Sequence, residues 1–231
     1  MEKKKKRIRN MFNRIARNYD LLNHLLTFGL DYHWRKKAIQ EFKKKPKKIL
    51  DVATGTGDFA IAAHYNLKDV QITGIDISEE MLNKGKRKIV RKKLNHIINL
   101  QIGDAESLSF DDNTFDAITV GFGVRNFENI NKGLSELYRT LRKGGEIVIL
   151  EPSNPRSFPM KQLHDFHFNY LTPFIGRLIS GDKQAYSYLS KSVNKFPKGK
   201  MFLNNMEDIG FSELKHIKLS LGVVDLYTAI K

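Results

Sequence analysis

The chain has 231 residues, 41% of them apolar, and its 40 Lys and Arg against 25 Asp and Glu give a formal net charge of +15. This length suits one sizeable domain, and no stretch approaches the roughly 18 apolar residues of a membrane-spanning helix. Cysteine is absent, which excludes disulfides and thiol chemistry and fits a cytoplasmic setting. No apolar region follows the basic start, so we expect no signal peptide.

Three basic runs hold much of the excess charge: Lys3 to Arg9, Lys43 to Lys48 and Lys84 to Lys93. Lysines that solvate exposed faces explain such runs, and so does attraction to an anionic membrane surface. The runs lack interleaved aromatic side chains, so base stacking is not expected and nucleic acid is not predicted as a partner.

Residues 11–40 carry apolar side chains at helical spacing, with a turn near Gly29, and predict a helical N-terminal segment, bounded at 1–46. Strands and helices then alternate. The predicted strands are 48–53, 70–75, 97–102, 115–120 and 146–150, and the predicted helices are 58–64, 78–93 and 131–141. Gly144 is predicted to close the last helix as a left-handed cap. This alternation predicts right-handed βαβ units and a mostly parallel sheet.

After Glu151 the alternation stops. Residues 157–180 are aromatic-rich and helical in pattern, and we treat 154–200 as a helical insert within a single domain, 1–231. Residues 212–219 and 222–230 are strand-like and predict an antiparallel hairpin at the sheet edge. The predicted fold is therefore a doubly wound, Rossmann-like α/β sheet of the class I methyltransferase type.

A glycine loop follows the first predicted strand in Ile49-Leu-Asp-Val-Ala-Thr-Gly-Thr-Gly-Asp58. Gly55 and Gly57 allow the backbone to approach a ligand where the next helix begins. The spacing with Ala60 also satisfies a relaxed dinucleotide fingerprint, so the glycines alone leave NAD and S-adenosylmethionine open.

Two carboxylates at later strand ends favour S-adenosylmethionine. Asp76 ends the second strand, where it can accept hydrogen bonds from ribose hydroxyls of either cofactor. Asp104 ends the third strand, where it can accept the adenine amine while the Ala105 N–H meets a ring nitrogen. A dehydrogenase has no regular need for that second acid. Asp51, inside the first strand, is predicted to approach the methionine end or the loop.

Three segments resemble the quinone-biosynthesis C-methyltransferases that act on demethylmenaquinol and 2-polyprenyl-6-methoxy-1,4-benzoquinol. They are Tyr19–Trp34 (YDLLNHLLTFGLDYHW), Gly121–Asn126 (GFGVRN) and Arg139–Ser153 (RTLRKGGEIVILEPS), and the resemblance covers nearly the full length. It implies methyl transfer from S-adenosylmethionine to a quinol ring carbon, with Thr56, Asp76, Asp104 and Ala105 at the cofactor. Gly121 stands where some members carry Ser, so it offers no side-chain contact.

The complete set of predicted cofactor contacts is Asp51, Gly55, Thr56, Gly57, Asp76, Ile77, Asp104, Ala105 and Gly121. The predicted catalytic residues are Arg125, Tyr19 and His164. Arg125 would stabilise the developing quinol oxyanion, although a structural pair with an acid is its alternative. His164, with His167 three residues on, is one proton acceptor, and Tyr19 is the other partner for the quinol oxygen. Because no third ligand is near, these histidines predict no metal site.

The apolar residues of 158–179 belong either to the core or to a cap that lines a groove for a polyprenyl tail. With the basic face, such a cap predicts peripheral docking at the inner face of a membrane. The predicted substrate is demethylmenaquinol, with the benzoquinol as the alternative. An RNA or small-molecule methyltransferase is less favoured, because residues 120–123 lack the Asn/Asp-Pro-Pro-aromatic motif of amino-group enzymes. A non-catalytic cofactor sensor and a homodimer stay open.

Overall fold

The computed structural model describes residues 2–155, 157–166 and 183–231. Its helices are α1 (Glu2–Ile15), α2 (Tyr19–Leu26), α3 (Leu30–Gln40), α4 (Asp58–Asn66), α5 (Glu79–Arg91), α6 (Ile130–Thr140), α7 (Met160–Phe166), α8 (Lys183–Lys195) and α9 (Lys200–Ile209). Its strands are β1 (Lys48–Val52), β2 (Gln71–Asp76), β3 (Ile98–Ile102), β4 (Phe115–Gly121), β5 (Leu141–Pro152), β6 (Ser212–Leu219) and β7 (Val224–Ile230). Short 3₁₀ turns cover Ala16–Asn18, Val124–Asn126 and Ser220–Gly222.

The seven strands found in the described residues form one sheet in the order β3-β2-β1-β4-β5-β7-β6. The first five are mutually parallel, and β7 runs antiparallel to both β5 and β6. The predicted sheet and its C-terminal hairpin are therefore confirmed. The strand order reverses beside β1 and β4, so the loops after these strands meet at the crevice where open α/β sheets bind ligands.

Buried apolar residues cover both faces of the sheet. In β5, Ile147 and Ile149 pack on the face covered by α6 and α9, while Val148 and Leu150 pack on the face covered by α3, α4 and α5. This alternation is the period of two expected for a strand. Because helices cover both faces, β5 carries almost no exposed side chain between residues 145 and 151.

The end of α6 differs from the prediction. The helix ends at Thr140, Leu141 is already extended, and β5 begins at once. Gly144 does adopt a positive φ of 70°, but its N–H donates to the Lys231 carbonyl at 2.8 Å inside the sheet. The predicted left-handed helix cap is therefore wrong, because pairing with the end of the chain extends the strand over the Lys-Gly-Gly segment.

The region after β5 is only partly described. Helices α7 and α8 lie within the predicted insert, and residues 167–182 lie outside the described part of the chain, as does most of the helix predicted for 157–180. Helix α9 was not predicted. It ends at Ile209 and is followed by the capping residue Gly210, whose φ of 115° suits glycine at a helix end.

Candidate active site

The glycine loop leaves β1 with three residues at positive φ: Ala53 at 53°, Gly55 at 56° and Gly57 at 82°. Gly57 is the residue before α4, so the loop delivers the positive end of a helix dipole to the carboxyl edge of the sheet. A Cβ on Gly55 would lie 3.3 Å from Met81 Cε. The left-handed backbone and this close approach explain why glycine occupies the position.

Asp76 stands at the end of β2, beside this loop. One carboxylate oxygen accepts the Gly55 N–H at 2.9 Å and the other accepts the Ser78 N–H at 2.8 Å. Burial raises the pKa of Asp76, and these backbone donors oppose the rise. The carboxylate is thus fixed by the loop itself and keeps lone pairs for a ligand.

Asp104 follows β3 and is contacted by the N-terminal helix. Its Oδ1 accepts the Glu106 N–H at 2.9 Å, and its Oδ2 accepts from Lys5 Nζ at 2.6 Å. Lys5 also lies 3.4 Å from Glu106 Oε2. Asp104, the predicted acceptor for the adenine amine, therefore forms an ion pair with Lys5 of α1. The sequence did not predict this contact.

These groups surround a small cavity of about 70 Å³. Its lining residues are Lys5, Ile8, Phe12, Tyr19, Ala53, Gly55, Asp76, Ile77, Met81, Gly103, Asp104, Ala105, Glu106, Gly121, Phe122, Gly123, Asn126 and Phe127. Six of the nine predicted cofactor contacts are therefore brought together at one cavity: Gly55, Asp76, Ile77, Asp104, Ala105 and Gly121. A Cβ on Gly121 would meet Phe59 Cδ1 at 2.9 Å, so a larger residue there requires repacking.

The other three predicted contacts lie outside this lining. Asp51 is 1% exposed and accepts hydrogen bonds from Thr54 Oγ1 at 2.5 Å and Thr119 Oγ1 at 2.7 Å. Burial raises its pKa to about 6. Thr56 is 2% exposed, and its hydroxyl donates to Asp20 Oδ1 at 2.6 Å. Gly57 contacts the core, where a Cβ would lie 3.5 Å from Leu100 Cδ1.

A second, larger cavity of about 490 Å³ adjoins the first and is mostly apolar. It is lined by Tyr19, Asn23, Leu26, Thr27, Phe28, Leu30, Asp31, Trp34, Arg35, Phe122, Arg125, Pro152, Met160, Leu163, Phe166, Leu189, Ser220, Val223 and Val224. Tyr19 and Phe122 line both cavities. These two aromatic side chains therefore mark the boundary between the cavity that contains the strand-end carboxylates and a larger, mostly apolar cavity.

Tyr19 begins α2, and burial raises the pKa of its phenol, while a hydrogen bond with Asn23 and the charges of Arg125 and Arg35 oppose that rise. The phenol is therefore held neutral and able to donate a hydrogen bond.

Phe122 was not predicted. Its φ of 59° turns the backbone sharply after β4, and the flanking glycines of Gly121-Phe-Gly123 were the signal that could have identified it.

Arg125 reaches the larger cavity but is already paired. Its Nη1 donates to Glu151 Oε2 at 2.9 Å and to the Phe122 carbonyl, and its backbone N–H donates to Glu151 Oε1 at 3.3 Å. Its Nε is buried and has no partner among the described residues. Burial raises the pKa of Glu151, and the adjacent guanidinium opposes the rise. The structural pair considered from sequence is thus present.

His164 lies in α7, and its side chain is outside the described part of the structure; the same is true of all of His167. The roles predicted for His164, Tyr19 and Arg125 stay predictions. Among the described residues, no helix is long and apolar enough to cross a bilayer.

All 231 residues match the profile of the ubiE/COQ5 methyltransferase family. The chain belongs to this family. It is 48% identical over 230 residues to the demethylmenaquinone methyltransferase of Bacteroides fragilis, covering 99% of this chain and 94% of that protein. It is 43% identical over 233 residues to the ubiquinone/menaquinone biosynthesis C-methyltransferase UbiE of Geotalea daltonii, covering 100% and 99%.

Solved structures share the fold at low sequence identity. A SAM-dependent methyltransferase from Aquifex aeolicus superposes with a TM-score of 0.59 at 18% identity, covering 87% of this chain and 91% of that one. Phosphoethanolamine N-methyltransferase 2 of Haemonchus contortus, in complex with S-adenosyl-L-methionine, gives a TM-score of 0.60 at 14% identity. The match covers 88% of this chain and 57% of that one. The [4+2]-cyclase SpnF gives 0.70 at 16% identity, covering 98% and 96%. The predicted fold is confirmed, and the cyclase illustrates that this fold alone does not determine the reaction.

Proposed function

We propose that the protein transfers the methyl group of S-adenosylmethionine to a ring carbon of demethylmenaquinol. The observation that carries this proposal is a pair of adjoining cavities that share Tyr19 and Phe122. One contains the carboxylates expected for a nucleoside, and the other offers an apolar volume for a quinol. The 48% sequence identity to the Bacteroides fragilis demethylmenaquinone methyltransferase, which extends over 99% of this chain, supports the same substrate.

The smaller cavity suits the cofactor in its chemistry. Asp76 would accept the ribose hydroxyls, Asp104 would accept the adenine amine, and the glycine loop leaves space for the amino-acid end. S-adenosylmethionine supplies an electrophilic methyl group on a sulfonium. Small-molecule sites usually have about 300–1,000 Å³, so the cavity of about 70 Å³ has to widen. Helix α1, whose Lys5, Ile8 and Phe12 line the cavity, is the element that we expect to move.

In the larger cavity, Tyr19 would hold the quinol oxygen next to the transferable methyl group. Loss of the hydroxyl proton makes a phenolate, whose ortho carbon attacks the methyl carbon while the S–CH3 bond breaks and S-adenosylhomocysteine leaves. Loss of the ring proton then restores the aromatic ring. A neutral Tyr19 phenol would donate a hydrogen bond to the phenolate oxygen. Arg125 would add positive potential from the cavity wall, although its ion pair with Glu151 offsets part of that charge.

The main contribution of the chain is orientation and exclusion of water. Holding two reactants at near-attack distance contributes about 7–11 kcal/mol in favourable cases. The apolar lining, with Leu26, Trp34 and Val224 among its residues, excludes water from the ring and from the start of the polyprenyl tail. We propose His164 of α7 as a proton acceptor, since Met160 and Leu163 of the same helix line the cavity.

We also propose that the protein takes its substrate from an anionic membrane surface in the cytoplasm. The net charge of +15 favours such a surface, and exposed apolar side chains at the mouth of the larger cavity, Leu30 and Leu163, could contact lipid. Sedimentation with vesicles should increase with the fraction of anionic lipid. Sedimentation that does not respond to anionic lipid would contradict membrane docking and leave the methyl transfer unaffected.

The decisive experiment incubates the purified enzyme with methyl-labelled S-adenosylmethionine and either reduced demethylmenaquinone or the reduced benzoquinone. We expect label in the naphthoquinol ring, located by mass spectrometry. Preferential labelling of the benzoquinol would instead favour the ubiquinone step. A rise in melting temperature with NADH and none with S-adenosylhomocysteine would refute the cofactor assignment and with it the proposed function.

A further inference from the structure

The hydroxyl of Thr56 faces away from the cofactor cavity although its backbone belongs to the glycine loop. It donates to Asp20 Oδ1 at 2.6 Å and accepts from Lys88 Nζ at 3.0 Å. A threonine hydroxyl has one donor hydrogen and two acceptor lone pairs, so these contacts use most of its capacity. Because the residue is also 2% exposed, its side chain has little capacity left for a cofactor.

Asp20 is the centre of this network and directly follows Tyr19. Lys88 Nζ lies 2.8 Å from Asp20 Oδ2 and also donates to Asp58 Oδ1 at 2.7 Å. Lys84 Nζ lies 3.4 Å from the same Asp20 oxygen. The charge of Lys88 and its hydrogen bond lower the pKa of Asp20 although burial raises it. The side chains of Lys88 and Asp20 are 11% and 16% exposed, so solvent screens this pair less than an ordinary surface pair.

Helix α5 contacts both segments that the Thr56–Asp20 hydrogen bond joins, the start of α2 and the glycine loop. Lys84 Nζ donates to the carbonyls of Ala16 and Arg17, in the turn that leads into α2, at 3.1 and 3.0 Å. A Cβ on Gly85 would lie 3.0 Å from the Thr56 carbonyl carbon, so the glycine loop packs tightly on the same helix. The start of α2 and the loop are therefore fixed to one platform.

We propose that Thr56, Asp20 and Lys88 form a positioning link that couples the glycine loop to Tyr19. The link fixes the first turn of α2 and thereby places the Tyr19 ring between the two cavities. Its three side chains act through the position of Tyr19 and not on the reacting atoms. This inference rests on the proposed function, because Tyr19 matters only if methyl transfer crosses the boundary between the cavities.

The test replaces Thr56 by Val, which keeps the shape and removes the hydroxyl, and by Ser, which keeps the hydroxyl. Misplacement of a reacting group by about 1 Å can cost about a hundredfold in rate, so we expect Thr56→Val to lower kcat about ten- to a hundredfold. The dissociation constant for S-adenosylhomocysteine should change much less than kcat, and Thr56→Ser should retain most of the activity. Parallel losses of cofactor affinity and kcat, or an unchanged kcat, would overturn the link.

A double-mutant cycle with Asp20→Asn tests whether the two residues act as one unit. If they do, the double variant is no slower than the slower single variant, whereas multiplied losses would contradict the link. Thr114→Val is the matched control, because the Thr114 hydroxyl donates to the Asp111 carbonyl at 2.7 Å and the residue lines neither cavity. It should lower the melting temperature without lowering kcat.

A crystal structure of the Thr56→Val variant separates this inference from the proposed function. We expect a displaced Tyr19 ring, and an unmoved ring would refute the link whatever the wild-type activity. Conversely, a wild type that methylates no quinol would refute the proposed function, while a displaced ring in the variant would still establish the coupling between loop and tyrosine.

Discussion

The two cavities are built in different ways. The small cavity is made at strand ends, where Asp76 ends its parallel strand and Gly55 and Asp104 follow theirs within a few residues. The large apolar cavity is made from side chains of α2, α3, α7, α8 and the end of the hairpin, between residues 19 and 224. Ligand chemistry at strand ends follows from local sequence, whereas an apolar cavity follows from packing between distant segments.

The largest expected effect concerns Asp51, which was predicted at the cofactor and is buried, with a hydrogen bond from Thr54 of the glycine loop. Its pKa of about 6 lies above the unfolded value near 3.8, so its contribution to stability is present at low pH and lost as pH rises through 6. Asp51→Asn removes this dependence. The variant should gain stability relative to wild type between pH 4 and 7, approaching about 3 kcal/mol.

Urea unfolding at several pH values measures this difference. Asp69→Asn is the control, because Asp69 is exposed and Asn accepts its positive φ. A stability difference that stays constant with pH would contradict a raised pKa at Asp51. A large loss of S-adenosylhomocysteine affinity would instead support the predicted contact of Asp51 with the cofactor.

The next effect concerns Asp76, whose carboxylate lines the small cavity. Asp76→Asn removes the carboxylate that would accept hydrogen bonds from two ribose hydroxyls. Hydrogen bonds to charged groups contribute about 1.5–3 kcal/mol. We expect S-adenosylhomocysteine to bind about 30-fold more weakly, which is about 2 kcal/mol. Calorimetry measures this loss. The KM for the quinol should change little, and equal losses for both substrates would contradict the separation of the two cavities.

The third prediction concerns the mouth of the apolar cavity. Leu163 is 60% exposed and lines this cavity from α7. Leu163→Glu places a charge where a polyprenyl chain would lie, and burial of a leucine-sized group is worth about 1.5–3 kcal/mol. We expect the KM for the quinol to rise about tenfold, with S-adenosylhomocysteine affinity unchanged.

Met201→Glu is the matched control for this change, because Met201 is 67% exposed on α9 and lines neither cavity. It should leave both constants unchanged. An equal rise in KM in both variants would mean that added negative charge, rather than the cavity mouth, causes the effect.

Local sequence predicted the strands, the glycine loop and the two strand-end carboxylates, because each depends on a short pattern. It was wrong at Gly144, where a Lys-Gly-Gly segment typical of a helix end is extended by pairing with Lys231. The family resemblance places Thr56 at the cofactor, which stays a prediction, but it did not indicate the partner of the Thr56 hydroxyl, Asp20, which lies 36 residues earlier. The sequence signals for this network were the position of Asp20 in the first turn of α2 and the four-residue spacing of Lys84 and Lys88 on α5. Neither signal identifies the partner of Asp20 unless the fold is known.

The contact of Lys5 with Asp104, 99 residues apart, was likewise beyond local patterns and gives the smallest expected effect. Both side chains are about one-third exposed, and ion pairs of this kind contribute about 0.2–1 kcal/mol. Because Lys5 competes with the adenine amine for Asp104, Lys5→Met should tighten S-adenosylhomocysteine binding by up to about fivefold. The neighbouring exposed Lys6, changed to Met, loses the same charge from α1 and should leave the affinity unchanged. Weaker binding in Lys5→Met alone would instead make Lys5 part of the cofactor site, and α1 would then be a wall that the cofactor requires rather than one that it displaces.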